Sequence, residues 1–359
     1  MKIIYRYYIK EFLKMLGIIA LGLSIIFSLL DLVNKIDDFT PGKLSVFSLI
    51  EYVLLNLPKY LYYLLPMSML ICSLFIFSQA SRNKELVAIK ATGGRLRRLF
   101  YPFIILGLLT SLGGFFIGEI VIPASAERSL EFKRTFMKKA DKVSFKEGTL
   151  WLRATDGSLV RIGLYLPGEK NAKGISIFTV GKEYLKERIE AEEALWIQQN
   201  DSKGIWKLEK VIVYDLEEGK VKNFKEMDYP YLEAPDFFGK WIKSPEEMGI
   251  EELYRYTKKL EAAGIRDVKL SVDLNSKVSY PLANFFMILL GMSLSVMSRI
   301  GGGLMATGFG ISISFVYWLF YTLMLSMGYA RVIPPAIATW SVPVLFGIVA
   351  VYLFNKIPE

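Results

Sequence analysis

The chain has 359 residues, 53% of them apolar, a formal net charge of +9 and a mean hydropathy of +0.35. It holds no histidine and one cysteine, Cys72, which excludes a histidine general base, a histidine metal site and an intrachain disulfide. Residues 125–272 carry 27 Lys and Arg against 26 Asp and Glu, and the remainder carries 17 against 9. The basic excess therefore sits in the apolar part, where it reads as membrane topology and headgroup contact, not nucleic-acid binding.

Residues 13–33 form the first stretch long enough to cross a bilayer. The run is too long for a signal-peptide core, and no A-x-A site follows it. Ser24, Ser28, Asp31 and Lys35 recur along it at helical steps and share one face. That stripe reads either as a cavity wall meeting a polar or anionic substrate, or as groups snorkelling at headgroup depth. A second span covers residues 54–78, with Cys72 as a small buried hydrophobe. A third covers residues 99–122 and contains the close-packing pair Gly114 and Gly118. Glu119 at its end reads as an ordinary interfacial charge.

Between the second and third spans, residues 81–99 read SRNKELVAIKATGGRLRRL. Leu86, Ile89 and, less strictly, Ala88 give an apolar patch at helical spacing, Arg82, Lys84, Glu85 and Lys90 are polar, and Gly93-Gly94 stops the helix. Such a helix suits docking into a groove of a cytoplasmic ATPase. It equally suits the interface, with its cations on lipid phosphates.

Residues 125–272 are water-loving and rich in strand signals. Predicted strands at 149–154 and 158–166 flank an Asp156-Gly157 turn. Val160, Ile162, Leu164 and Leu166 are expected to share a face. Further strands are predicted at 174–180, 194–199, 205–214 and 221–224, with 182–193 ambiguous between strand and helix. Six to eight short strands indicate a sandwich or jellyroll. Ser244-Pro245-Glu246-Glu247 matches a capping box opening a helix to about residue 263. Three more spans follow at 278–297, 304–327 and 336–354, the fifth carrying Ser312, Ser314, Tyr317 and Tyr321.

Orientation follows from basic residues in short loops. Lys2, Arg6, Lys10, Lys14, the basic residues of 82–98, Arg299 and Lys356 mark one side as cytoplasmic. Lys35, Lys43 and Arg331, offset by Asp37 and Asp38, mark the other. Both termini are thus expected in the cytoplasm, with the insert outside. No P-loop occurs: Gly93-Gly94 and Gly301-Gly302-Gly303 lack its lysine. Energised work would need a partner or an ion gradient. A membrane-anchored scaffold or sensor is the alternative from another class.

Pro66-Met67, the run from Gln79 to Gly93 with Glu85-Leu86-Val87 and Ala91-Thr92-Gly93, and Gly118-Glu119 with Val121 and Pro123 carry a resemblance. So do Thr149-Leu150-Trp151, Gly174-Ile175-Ser176-Ile177, Leu274-Asn275-Ser276-Lys277 and Pro281-Leu282. Together, over nearly the whole chain, they resemble the LptF/LptG permease family of the lipopolysaccharide-export ABC transporter, its LptG branch more than its LptF branch. The resemblance implies a Gram-negative inner-membrane α-helical protein, with six transmembrane helices at 1–124 and 273–359. An all-β periplasmic jellyroll would lie within 125–272, at 142–232.

It also implies a heterodimer with an LptF-like permease, two LptB-like ATPases that bind ATP and Mg, and LptC-like and LptA-like bridge proteins. This chain would have no cofactor, metal or catalytic residue of its own. Docking to the ATPase would fall to Arg82, Glu85, Leu86, Ile89, Ala91 and Gly93. Lipopolysaccharide would meet Ser24, Ser28, Asp31, Lys35, Lys133, Ser314, Tyr317 and Tyr321. Asp31 stands where the family often has a basic residue, with Lys35 one turn on.

Overall fold

The computed structural model describes residues 2–36, 39, 45–136, 143–146, 149–166, 170–180, 185–200, 203–216, 219–232, 234–235, 244–262, 267–297 and 302–357. Asp37, Asp38, Lys43, Arg299 and Gly301 lie outside them. Two compact units emerge, residues 1–37, 41–129 and 245–359 in one and residues 38–40 and 130–244 in the other.

The first unit is a helix bundle. Its elements are α1 (Lys2–Lys35), α2 (Val46–Arg82), α3 (Glu85–Ala91), α4 (Leu96–Phe116), a π turn (Ile117–Val121) leading into the first half of α5 (Ile122–Phe136, whose residues from Leu130 on belong to the second unit), α6 (Ile250–Ala262), α7 (Val268–Met297), α8 (Gly303–Tyr329) and α9 (Pro335–Asn355). Six described segments are long and apolar enough to cross a membrane: Ile3–Lys35, Val46–Arg82, Leu96–Phe132, Val268–Met297, Gly303–Tyr329 and Pro335–Asn355. The chain is a multi-pass membrane protein.

Helices α2 and α7 are the most buried and form the centre. Small residues let them approach: a Cβ on Gly291 would stand 1.9 Å from Ser73 Oγ and 3.0 Å from the Leu70 carbonyl. Gly107 meets Ile288 in the same way, while Gly114 faces Asn284 and Gly118 faces the Tyr62 ring. The Gly114 and Gly118 pair thus serves two neighbours, α7 and α2. Cys72 is buried, and its thiol donates to the Phe12 carbonyl of α1.

The capping-box residues do not open α6. Pro245–Glu247 form a separate 3₁₀ turn, and α6 begins only at Ile250. Gly249 takes the cap position, its carbonyl accepting from Leu253 N–H.

The second unit holds a seven-stranded antiparallel sheet, β1 (Val143–Lys146), β2 (Thr149–Arg153), β3 (Leu159–Leu166), β4 (Asn171–Val180), β5 (Leu185–Asn200), β6 (Lys203–Asp215) and β7 (Lys220–Tyr229), in sequential order. The inserted all-β domain is present, but the order is a meander; the crossovers of a jellyroll are not among the described pairings. The one fully described connection, between β2 and β3, is a tight turn that ties a strand to its successor. At Asp156-Gly157 the carboxylate accepts from Ser158 N–H and Gly157 takes φ +90°. Tyr229 donates to the same carboxylate, and burial with that neighbouring charge pushes its phenol pKa up. Residues 185–193, left ambiguous by the sequence, are the first half of a 16-residue strand.

A crease crosses the sheet. Gly163, Gly174, Glu192, Lys210 and Lys225 fall between paired rows on β3 to β7, with the same register on either side. Gly174 and Lys210 have φ of +64° and +52°. The buried positions change parity at this line: Ile175 and Ile177 against Ala172, Ile189 and Ala191 against Ala194, Val211 and Val213 against Leu208 and Trp206. On β3, Val160 and Ile162 are followed by Tyr165. Leu164 is buried as well, so the expected face holds through Val160, Ile162 and Leu164, with Tyr165 buried beside it; the side chain of Leu166 lies outside the described residues.

Candidate functional site

Helix α3 is two turns long and is held between two left-handed joints. Lys84 before it has φ +60° and Gly93 after it has φ +77°. Its end is a Schellman motif: Gly94 N–H donates to the Ile89 carbonyl and Gly93 N–H to that of Lys90. Leu86 is 4% exposed and Ile89 packs on the bundle core. Val87 is 61% exposed, and Ala88 and Ala91 are exposed beside it. Of the apolar patch read from spacing, Leu86 and Ile89 face inward, while Ala88 is exposed on the outward face with Val87 and Ala91. Glu85 is half-buried, with Tyr8 Oη donating to Oε2 at 2.5 Å and Asn83 Nδ2 to Oε1 at 3.2 Å. Arg82 is exposed at the end of α2.

At the other end of α1, the polar stripe turns toward the bundle. Ser24 donates to the Ala20 carbonyl of its own helix, and Ser28 reaches across to the Val53 carbonyl of α2. Asp31 forms an ion pair with Lys35 at 2.8 Å and accepts from Tyr52 Oη at 2.7 Å. Tyr52 itself is fully buried. Lys35 therefore carries an internal counter-ion. Lys133 lies on α5, and its side chain is outside the described residues.

On α8, Ser314, Tyr317 and Tyr321 share a face turned into the chain's own bundle. The two tyrosine rings stack at 5.9 Å with an 8° interplanar angle. Ser314 Oγ and Tyr317 Oη have no partner among the described residues. Tyr321 lies beside Ser279 and lines a cavity of about 90 Å³ with Glu119, Glu246, Asp273 and Lys277. Ionisable groups on or beside the apolar spans thus face the protein interior, as desolvation requires. The face of α8 that bears Phe309, Phe315 and Trp318 is the exposed one.

Three contacts in this region had no sequence signal. Tyr8 belongs to an undistinguished aromatic run. Lys59 lies 3.6 Å from Glu246 and 3.3 Å from Glu247. Glu119 Oε2 accepts from Ile250 N–H at 2.7 Å, so it caps α6 from another helix where Gly249 has no side chain to do so. The π turn at Ile117–Val121, a type often found where a helix redirects a functional side chain, carries this carboxylate.

The family model described as "Lipopolysaccharide export system permease LptF/LptG" matches residues 6–356. The chain belongs to the LptF/LptG family. A similar protein, described as uncharacterized, comes from Rickettsia prowazekii (strain Madrid E); it is 26% identical over 173 residues. That match takes in 48% of this chain and 47% of the relative, so it spans about half the length of either. The LptF/LptG family is one of transporter permease components, and its match runs through both membrane clusters and the β domain between them.

Proposed function

We propose that this chain is a permease subunit, of the LptG branch, in an ABC transporter that extracts lipopolysaccharide from the outer leaflet of the inner membrane and passes it to a periplasmic bridge. Both termini lie in the cytoplasm and the β domain in the periplasm. An LptF-like permease completes the pair, two LptB-like ATPases bind ATP and Mg beneath it, and LptC-like and LptA-like proteins continue the path.

The observation that carries this reading is the outward face of α3. Val87, Ala88 and Ala91 stand exposed on a short helix pinned at both ends, which is the form a rigid knob needs to fill a partner's groove. Glu85 beside them offers a carboxylate to a basic residue of the ATPase. Leu86 and Ile89 brace the helix from behind.

The energetic argument is general. Burying acyl chains contributes about 0.8 kcal/mol per CH₂, so moving a multi-chain glycolipid through water costs roughly tens of kcal/mol. A permease lowers this by keeping the chains dry, and hydrolysis on the partner drives the change of shape. Asp31 and Lys35 form a neutral pair at the rim, and a substrate phosphate would draw Lys35 away from Asp31.

Val87→Asp tests the reading, because it places a charge on the outward face and leaves the inward packing intact. The variant should fold and pair with the second permease yet recover at most about a tenth of the ATPase on affinity purification. Full ATPase recovery with Val87→Asp, or wild-type protein purifying without any ATPase, would refute it.

A further inference from the structure

We propose that Tyr8 is a positioning residue that locks the docking helix to the first span, so that movement of α3 is transmitted into α1. The inference rests on the docking role assigned to α3 above and adds the contact through which docking is felt.

Helix α3 is set off from α2 and α4 by a residue in left-handed backbone at each end, Lys84 and Gly93, so its direction is independent of theirs. Seven residues is too short a helix to fix its own orientation, which therefore depends on its side-chain contacts with the bundle. Its side chains supply these contacts. Leu86 is buried in the core and Ile89 packs against it, apolar contacts without a preferred direction. The Tyr8 hydroxyl donates to Glu85 Oε2 at 2.5 Å, a short charge-assisted bond that fixes direction. Tyr8 cannot yield easily, being 4% exposed with its ring 5.9 Å from Phe77 and 5.3 Å from Tyr7.

From Tyr8 the constraint runs on through α1. This helix has 34 residues, about 50 Å. It is bonded to α2 at three levels: Phe12 to Cys72, Ser28 to Val53 and Asp31 to Tyr52. Displacing Glu85 therefore loads the same rigid pair that carries Asp31 and Lys35 at its far end. The carboxylate retains capacity for a further donor, because each oxygen offers more than one lone pair, so Tyr8 and a basic residue of a partner can share it.

Tyr8→Phe removes the hydroxyl and keeps the ring. In the full chain alone, amide hydrogen exchange of α3 should rise about tenfold while α4 is unchanged, the loss expected for one charge-assisted bond. In vesicles holding the complete transporter and fluorescently labelled lipopolysaccharide, hydrolysis should stay within about twofold while glycolipid released per ATP falls about tenfold. In a Glu85→Ala background, Tyr8→Phe should change neither readout further. Unchanged α3 exchange, wild-type release per ATP, independent effects of the two substitutions, or equal loss of hydrolysis and melting temperature would each overturn the role. If wild-type protein recruits no ATPase, the docking reading falls, and the exchange measurement alone still decides whether Tyr8 locks α3.

Discussion

Tyr52 donates its hydroxyl to Asp31 at 2.7 Å, and Lys35 closes on the same carboxylate at 2.8 Å. The tyrosine is fully buried on α2, while the two charged groups are on α1, so this triad joins the two helices at the far end of the bundle. Asp31→Ala would remove both the carboxylate that the buried Tyr52 hydroxyl donates to and the counter-ion of Lys35, and should destabilise by about 1–3 kcal/mol. Tyr52→Phe should lower stability by a similar or smaller amount, and the double variant should be no worse than Asp31→Ala. Thermal unfolding of the purified protein in micelles reads all three; an unaltered melting temperature for Asp31→Ala would rule the triad out as a fastening.

Glu119 caps a helix that has no cap of its own. Replacing it with Ala should cost about 1–2 kcal/mol, and Gln, which keeps an acceptor but not the charge, should cost less. The expected symptom is local: amides of Ile250 to Leu253 exchange faster while α7 is unaffected. Gly249→Ala should mimic the loss, since a Cβ there would stand 3.1 Å from Glu119 Oε1. Fast exchange confined to some other segment would contradict the assignment.

Gly291 is where α7 meets α2. Gly291→Ala would put carbon 1.9 Å from Ser73 Oγ and should cost at least about 1–3 kcal/mol through overpacking. Ser73→Ala in the same chain should recover only part, because the Leu70 carbonyl is still 3.0 Å away. Melting of the single and double variants decides this; complete recovery would mean the backbones can separate freely.

Gly174 has left-handed backbone at the crease, so Gly174→Val should destabilise the sheet by more than about 1 kcal/mol. Lys210 occupies the same conformation without being glycine, and Lys210→Gly should slow exchange of β5 and β6 amides. Its ion pair with Glu192 is exposed on both sides and adds little. Faster exchange after Lys210→Gly would show that the bend does not strain that residue.

The spans were legible because a run of about 18 apolar residues has few other uses, and the β2–β3 hairpin was legible from Asp156-Gly157. The second half of β5 was legible as a strand at 194–199, but its first half was not, because Ile189 and Ala191 alternate with Arg188, Glu190 and Glu192, a charged run that suits strand or helix equally. The spacing of Leu86 and Ile89 located a helix and a face correctly. It could not say whether that face meets the chain's own core or a partner, since both are apolar. The inward turn of Ser314, Tyr317 and Tyr321 was hidden for a related reason: in a membrane, a polar stripe seeks any interior, whether an open chamber or a packed bundle. Long-range pairs such as Tyr8 with Glu85 and Glu119 with Ile250 leave no local trace.

The line through Gly163, Gly174, Glu192, Lys210 and Lys225 also bears on how the β domain can change over generations. On β4, β5 and β6 the strand carries one residue more than plain alternation needs. Deleting any single member would put half of that strand out of step with both neighbours. Insertions and deletions here are tolerable only as a set, so descendants of this fold should keep the line whole or lose it whole.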